Sequence, residues 1–284
     1  MIIDIMKSVL FGIVEGITEW LPVSSTGHMI LLNEFVTMNV KKEFWDMFLV
    51  VIQLGAILAV VLLYWHDIWP LHRGRGGKHD AKQGPMWILD RKVLRLWAKT
   101  IVACVPAAVV GLALDDWIDA HFYNWICVSV MLILVGIAFL FIENHNRKTT
   151  PRTLTMDDIT YREAFLIGMF QLIAAVFPGT SRSGSTILGA LMIGVSRPAA
   201  ANFTFILAIP VMAGASLLKL LKHGLSFTAP ELVILLTGMI TAFISSVLII
   251  KFLLAYIRKH DFKPFGWYRI VLGAVVVLYF TLGK

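Results

Sequence analysis

A short polar stretch in the second half of the chain carries residue types that bind phosphates. It runs from Pro178 to Thr186 and reads Pro-Gly-Thr-Ser-Arg-Ser-Gly-Ser-Thr, with apolar sequence on both sides. A charge at membrane depth costs about 2.5–3.5 kcal/mol, so Arg182 is a candidate functional residue. Pro178 and Gly179 break a helix, and the hydroxyl residues after them can begin another. We expect a helix–turn–helix arm that presents phosphate-binding groups, and its candidates are Ser181, Arg182, Ser183 and Thr186.

An earlier stretch adds two carboxylates. Glu15 and Glu19 are spaced i, i+4 and therefore share one face of a helix. Two carboxylates in an apolar helix repel each other unless a cation, a proton or a basic partner intervenes. A divalent metal such as Mg2+ or Ca2+ fits, because Mg2+ takes one or two carboxylates together with substrate phosphates. The alternative is structural, with one glutamic acid protonated and hydrogen-bonded.

The residues after Pro22 predict a second helix start. Amides at a helix start lack an intrahelical acceptor and form an anion site. The expected members of this site are Ser24, Ser25, Thr26 and Gly27. His28 lies three residues after Ser25, close enough to act as a base or to hold a phosphate. Such a serine is more often a cap and such a histidine more often structural, but the nearby carboxylates and Arg182 favour function.

The two stretches are related as copies. An offset of 156 positions places Gly12 on Gly168, Glu15 on Gln171, Pro22 on Pro178, Ser24 on Thr180 and Ser25 on Ser181. A slightly larger offset matches Phe44 with Phe203 and Gly55 with Gly214. Duplicated broken helices indicate a binding site near the membrane centre.

Composition places the chain in a membrane. It is 58% hydrophobic and 15% charged, with a mean hydropathy of +0.79, which excludes an ordinary soluble domain. The net charge of +7 lies mostly in loops and gives no indication of nucleic-acid binding. We therefore predict an all-α polytopic membrane protein with six transmembrane helices and two re-entrant helix–loop–helix arms.

The predicted duplication divides the chain into two repeats. The first covers 1–142, with an arm at 5–38 and spans at about 44–65, 99–116 and 124–142. The second covers 143–284, with an arm at 164–196 and spans at about 202–221, 231–254 and 267–283. Ser196 and Pro198 predict the start of the span after the second arm.

Loop charges predict the orientation. Residues 66–99, the one long loop, carry eight Lys or Arg, and 143–163 and 254–269 carry four each, whereas the alternate loops are poorer. By the positive-inside rule the basic loops are cytoplasmic. Three crossings separate the arms, which therefore enter from opposite faces as an inverted-topology repeat. We expect the site to open to the outer, periplasmic or extracellular, side.

Together these residues resemble the undecaprenyl-pyrophosphate phosphatases, also called the bacitracin-resistance proteins. The shared motifs are Glu15-xxx-Glu19, the run Pro22–His28, the run Pro178–Thr186 and Gly194-Val-Ser-Arg197. The resemblance covers nearly the whole chain. It implies an enzyme of the bacterial cell membrane that removes the terminal phosphate of a C55 isoprenyl diphosphate and so returns the lipid carrier to peptidoglycan synthesis.

The resemblance also implies roles for individual residues. Glu15 and Glu19 would hold the metal, Ser25 would be the nucleophile, His28 would assist proton transfer and Arg182 would hold the diphosphate. Attack by a metal-activated water in place of Ser25 stays open. A homodimer is also left open, and membrane lipids are the other expected partners. The alternative function is a transporter or flippase of a phosphate-bearing lipid, since inverted repeats with broken helices serve alternating access.

Overall fold

The computed structural model describes residues 1–74, 86–224 and 227–282, and most of them are helical. The helices are α1 (Ile2–Thr18), α2 (Ser25–Phe35), α3 (Lys42–Leu63), α4 (Trp65–Ile68), α5 (Arg91–Phe122), α6 (Trp125–Asn146), α7 (Tyr161–Val176), α8 (Arg182–Met192), α9 (Arg197–His223), α10 (Ala229–Ile257) and α11 (Lys263–Leu282). Six of them, α3, α5, α6, α9, α10 and α11, are long and apolar enough to cross a membrane. The all-α class and the six predicted spans are confirmed.

The connection after the first span differs from the predicted loop over 66–99. It contains the strands β1 (Leu71–Gly74) and β2 (Met86–Leu89), which pair antiparallel, and α5 already begins at Arg91. Backbone groups outside helices need hydrogen-bond partners, and the apolar run 86–89 obtains them from β1. Residues 75–85, part of the predicted basic loop over 66–99, lie outside the described residues.

The two halves of the chain pack their helices in corresponding ways. Helix α1 lies along α10 and α7 lies along α5, while α3 contacts α9 and α6 contacts α11. When the halves are exchanged, the pairings of α1 with α10 and of α7 with α5 are converted into each other. The pairings of α3 with α9 and of α6 with α11 are converted into themselves, as expected for a duplicated scaffold. The re-entrant depth of the arms and their inverted topology stay predictions.

Glycines permit the closest of these helix contacts. A Cβ atom on Gly12 would lie 2.4 Å from the Gly238 carbonyl oxygen of α10, and one on Gly168 would lie 2.4 Å from the Ala103 carbonyl oxygen of α5. The matched glycines of the two arms therefore allow the same backbone contact.

A partly buried ion pair joins three of the spans. Glu143, near the end of α6, is fully buried and accepts hydrogen bonds from the Arg197 guanidinium at the start of α9. It also accepts from the Phe262 amide, 3.0 Å away, just before α11. Ser196 caps α9 by accepting from the Ala199 amide at 3.4 Å, so the predicted helix start is confirmed.

The matched glycines Gly55 and Gly214 provide a test of this packing. A Cβ on Gly55 would lie 2.0 Å from the Met239 carbonyl oxygen, whereas one on Gly214 meets nothing within 4 Å. We expect Gly55→Ala to destabilise the protein by about 1–3 kcal/mol through overpacking. Gly214→Ala serves as the control and should be neutral or stabilising by up to about 1 kcal/mol, because alanine favours helices.

The measurement is the temperature at which half of the detergent-solubilised protein loses its monodisperse elution peak. Equal temperatures for the two variants would contradict the close α3–α10 contact.

Candidate active site

Each arm turns at a serine with unusual backbone geometry. Ser24 has φ 74° and Ser181 has φ 70°, and they are the only non-glycine residues with positive φ in the described part of the chain. The Ser24 hydroxyl oxygen accepts from the Gly27 amide at 3.3 Å, and that of Ser181 accepts from the Gly184 amide at 3.1 Å. Such strained residues cost about 1–3 kcal/mol each and cluster at functional sites.

This geometry corrects the alignment of the two copies. Ser181 corresponds structurally to Ser24, the other helix cap, and not to Ser25 as the constant offset predicts. The second turn has one residue more between its proline and its cap, and Gly179, with φ 91°, lies within it. Ser25 therefore corresponds to Arg182, the first residue of α8.

The carboxylate of Glu19 joins the two arms. The Ser25 hydroxyl donates to Glu19 Oε2 at 2.7 Å. Arg182 donates to Glu19 Oε1 through Nε at 3.3 Å and Nη2 at 3.1 Å, and through Nη1 to the Thr204 carbonyl oxygen at 3.0 Å. Ser25 and Glu19 are buried, and the Arg182 side chain is only 11% exposed. A hydroxyl, a base and a phosphate-binding cation are thus brought together.

The hydroxyls of the second arm are already engaged. Ser183 donates to the Glu19 carbonyl oxygen at 2.9 Å, so the Ser181 hydroxyl, 3.1 Å away, donates to Ser183 Oγ. Thr186 donates to the Arg182 carbonyl oxygen at 2.9 Å. A phosphate needs donors, and these hydroxyl protons are committed to protein atoms. The donors that remain for an anion are the free N–H groups of Arg182 and the amides at the two helix starts, and phosphate binding by Ser181, Ser183 and Thr186 stays a prediction.

The first helix start leaves few free amides. The Gly27 amide, a predicted phosphate donor, is bonded to Ser24, which leaves the amides of Ser25 and Thr26 without an intrahelical acceptor. The Thr26 side chain is half-buried next to them.

His28 points away from Ser25. Its Nδ1 lies 2.7 Å from the Ser24 carbonyl oxygen and its Nε2 lies 2.6 Å from the Tyr268 hydroxyl oxygen. A carbonyl only accepts, so Nδ1 carries the proton and, in the neutral ring, Nε2 accepts from Tyr268. Tyr268 was not predicted from the sequence, because 240 positions separate it from His28.

Glu15 and its counterpart Gln171 are buried with unsatisfied polar atoms. Glu15 is 1% exposed and its Oε1 has no hydrogen-bond partner; Gln171 is 2% exposed and neither of its amide atoms has one. Such atoms cost about 1–3 kcal/mol each. The described residues contain no group of three or more His, Cys, Asp or Glu that could hold a metal. A metal here would therefore depend on Glu15, Glu19 and phosphate oxygens, a donor set that suits Mg2+.

Arg269 is the site residue that sequence analysis missed. It lies in α11 and is fully buried, with Nη1 3.1 Å from the Pro22 carbonyl oxygen and Nη2 2.9 Å from those of Gly179 and Thr180. Arg269 therefore holds the turns of both arms. The sequence analysis counted it among the loop cations of 254–269. The rule that identified Arg182, an arginine inside an apolar span, would also have found Arg269.

Replacing Arg269 tests this role. Arg269→Met should destabilise the protein by about 1–3 kcal/mol for each turn carbonyl left without a donor. Arg269→Lys should lose nearly as much stability as Arg269→Met, because a single ammonium group does not reproduce the planar set of donors of a guanidinium. Both variants should show faster backbone hydrogen exchange in residues 20–28 and 178–184.

Lys263→Met is the matched control. This substitution removes a cation from the same helix. The only ion pair of Lys263 in the described residues is a long one, with 3.8 Å between its Nζ and Asp261 Oδ2. Unchanged exchange at both turns in the Arg269 variants, or an equal effect of Lys263→Met, would contradict the role of Arg269.

Comparison with known proteins agrees with this geometry. Residues 8–275 match the family model described as bacitracin resistance protein BacA. A protein of Desulfitobacterium hafniense named undecaprenyl-diphosphatase is 58% identical over 280 residues, which is 99% of this chain and 97% of that protein. One of Enterococcus faecalis with the same name is 54% identical over 276 residues, 97% of each chain. The chain belongs to the BacA family of bacitracin resistance proteins.

Proposed function

We propose that this protein is an integral-membrane phosphatase that hydrolyses undecaprenyl diphosphate to undecaprenyl phosphate and inorganic phosphate. The observation that carries the proposal is the contact of Ser25, Glu19 and Arg182, which joins a nucleophile, a base and a phosphate-binding cation. The relatives named undecaprenyl-diphosphatase support the substrate, since the alignments cover 97–99% of this chain. The product is the lipid carrier of peptidoglycan synthesis, and its recovery gives resistance to bacitracin.

The chemistry begins at Ser25. Its Oγ attacks the terminal phosphorus while its proton passes to Glu19 Oε2, 2.7 Å away. The bond from that phosphorus to the bridging oxygen breaks, and undecaprenyl phosphate leaves with the electron pair. Glu19 passes the proton from Ser25 to the departing lipid phosphate and is a carboxylate again. Water then attacks the phosphoserine and gives one proton to Glu19, the bond from phosphorus to Ser25 Oγ breaks, and Glu19 returns this proton to Oγ. The second product is inorganic phosphate.

The protein stabilises the added negative charge with fixed donors. Arg182 uses three of its five N–H groups on Glu19 and Thr204, so two remain for the diphosphate. The positive ends of α2 and α8 begin at the same site. Phosphoryl transfer depends mainly on such positioning and charge neutralisation.

Glu15 and Glu19 are the residues that would hold a divalent cation, Mg2+ or Ca2+. When bound, the metal supplies further charge neutralisation at the diphosphate. The unpartnered Glu15 Oε1 and the lone pairs that Glu19 retains beside its two bonds support this assignment. Without a cation, two carboxylates beside a phosphate would repel it.

His28 is assigned a part in proton transfer. Its Nε2 contacts Tyr268, and Tyr268 is 48% exposed, so the pair connects the start of α2 with the protein surface. We propose that the site opens to the outer face of the bacterial plasma membrane, because the basic loops predict that the opposite face is cytoplasmic.

The test measures phosphate release from undecaprenyl diphosphate by purified protein in detergent. A chelator should abolish release, and added Mg2+ or Ca2+ should restore it. Ser25→Ala should lower turnover by at least about a thousandfold, as expected for a lost nucleophile. Ser216→Ala is the control, because this buried serine of α9 bonds the Val50 carbonyl oxygen away from the site.

Near-normal turnover by Ser25→Ala would favour direct attack by water. Absence of release by folded, lipid-binding protein would instead favour a transporter.

A groove beside the first arm suits the lipid tail of the substrate. It has a volume of about 470 Å³ and is lined by Ile13, Ile17, Thr241, Ile244, Ser245, Leu248, Ile249 and Phe252. Its two hydroxyls are satisfied internally, that of Thr241 by the Thr237 carbonyl oxygen and that of Ser245 by the Thr241 carbonyl oxygen. The groove therefore offers an occupant no free hydroxyl donor.

The groove leads toward the site. Gly12 approaches Gly238 and Gly16 approaches Ala242, so α1 and α10 run in the same direction. Continuing this pairing places Ser245 at the level of Glu19, and Thr241 lies about 6 Å from Ser245 along the helix. We assign the groove to the first isoprenyl units of the tail.

Filling the far end of the groove tests this assignment. Ile13→Trp should raise KM for undecaprenyl diphosphate by about tenfold, an effect of roughly 1.4 kcal/mol. It should leave KM for isopentenyl diphosphate nearly unchanged, because one isoprenyl unit does not span the roughly 9 Å along α1 between Glu19 and Ile13. Met169→Trp is the matched control, since Met169 is the counterpart of Ile13 in the second arm and is equally exposed.

An unchanged ratio of the two KM values, or an equal change with Met169→Trp, would contradict the tail assignment. Failure of the phosphatase proposal is distinct, since neither substrate would then release phosphate.

A further inference from the structure

A large cavity in the described structure lies away from Ser25 and Glu19. It has a volume of about 1020 Å³ and is lined by residues 145–146, 148–152, 160, 162–163, 166 and 191–195. It is enclosed by the end of α6, the connection to α7, the first turns of α7 and the end of α8. Helix α8 places about 16 Å between Arg182 and this cavity.

The walls of the cavity are held by specific hydrogen bonds. The amide of Arg152 donates to the Gly194 carbonyl oxygen at 2.8 Å, and the amide of Ser196 donates to the Thr153 carbonyl oxygen at 2.9 Å. The Asn146 side chain donates to the Leu191 carbonyl oxygen at 3.1 Å. The connection after α6 is thus fastened to the end of α8, and the cavity is a built feature of the fold.

Three cations line this cavity without a carboxylate partner. Lys148, Arg152 and Arg162 form no ion pair with any residue in the described ranges, and His145 lies beside them. The one carboxylate in the lining, Glu163, accepts from the Thr153 hydroxyl at 2.7 Å and from the Thr160 amide at 2.7 Å. Glu163 keeps its negative charge, but Lys148, Arg152 and Arg162 outnumber it, so the cavity has an excess of positive charge.

Lys148, Arg152 and Arg162 are exposed, and they differ from the more deeply placed arginines, each of which has a protein partner. Arg182 pairs with Glu19, Arg197 pairs with Glu143, and Arg269 donates to turn carbonyls. Orientation by loop charge requires cations on this face but requires no cavity to collect them. Basic pockets between spans on a cytoplasmic face recognise phosphate-bearing headgroups.

We propose that this cavity binds a phosphate group through Arg152, Arg162 and Lys148. Two arginine forks and an ammonium group supply charge-assisted hydrogen bonds to phosphate oxygens. The phosphate belongs either to an anionic lipid headgroup at the predicted cytoplasmic surface or to free inorganic phosphate. The site is separate from the phosphatase site and does not depend on its activity.

The test compares thermal unfolding of the full chain in neutral detergent with added phosphatidylglycerol, phosphatidylcholine or inorganic phosphate. Phosphatidylglycerol should raise the unfolding temperature of the unaltered protein, and phosphatidylcholine should not. The double variant Arg152→Gln/Arg162→Gln should need at least about ten times more phosphatidylglycerol for the same rise. Phosphate release should be unchanged in this variant.

Arg258→Gln/Lys259→Gln is the matched control, because it removes two exposed cations from the connection between α10 and α11, on the same predicted face. If inorganic phosphate raises the unfolding temperature equally, and Arg152→Gln/Arg162→Gln loses this rise, the ligand is free phosphate. If only phosphatidylglycerol raises the unfolding temperature, the ligand is the lipid headgroup. A wild-type response of Arg152→Gln/Arg162→Gln, or an equal loss in the control variant, overturns the proposal.

Discussion

The structure depends on how backbone carbonyls are satisfied where both arms turn inside an apolar protein. Such carbonyls have no helical partner, and leaving them unbonded costs about 1–3 kcal/mol each. Arg269 provides hydrogen bonds to both turns. Its guanidinium donates to the carbonyl oxygen of Pro22 in the first turn and to those of Gly179 and Thr180 in the second. One side chain of α11 thereby sets the distance between two arms that lie far apart in sequence. The positions of all site residues follow from that distance.

The second connection between the arms is made by the reacting groups themselves. Glu19 accepts from Ser25 of its own arm and from Arg182 of the other, while Ser183 bonds the Glu19 backbone. The carboxylate is neutralised by a guanidinium whose remaining donors stay available to a phosphate. The contact that assembles the site thus also gives Ser25 a hydrogen-bonded base.

The spans and the helix starts of the arms were predictable from local sequence. An apolar run of about twenty residues favours a membrane-spanning helix, and a hydroxyl cluster after a proline favours a helix start. The six spans and the approach of Arg182 to the first arm belong to this class. The register of Ser181 was missed because one additional residue in a turn is visible only in the backbone angles. Arg269 was missed because it was counted with the loop cations, although the criterion that identified Arg182 applies to it as well. Tyr268 was missed because its partner His28 is 240 positions away, and no local pattern encodes such a contact.

The same bonds bear on whether a lipid is cleaved or moved. Alternating access displaces one repeat against the other around a central site. Here such a displacement would break the bonds of Arg182 and Ser183 to Glu19 and the bonds of Arg269 to both turns, all of them buried. Phosphoryl transfer instead gains from groups that stay fixed, since preorganised donors need no reorganisation in the transition state. A lipid tail that lies along α1 and α10 allows the substrate to arrive and leave through the membrane while the arms remain together.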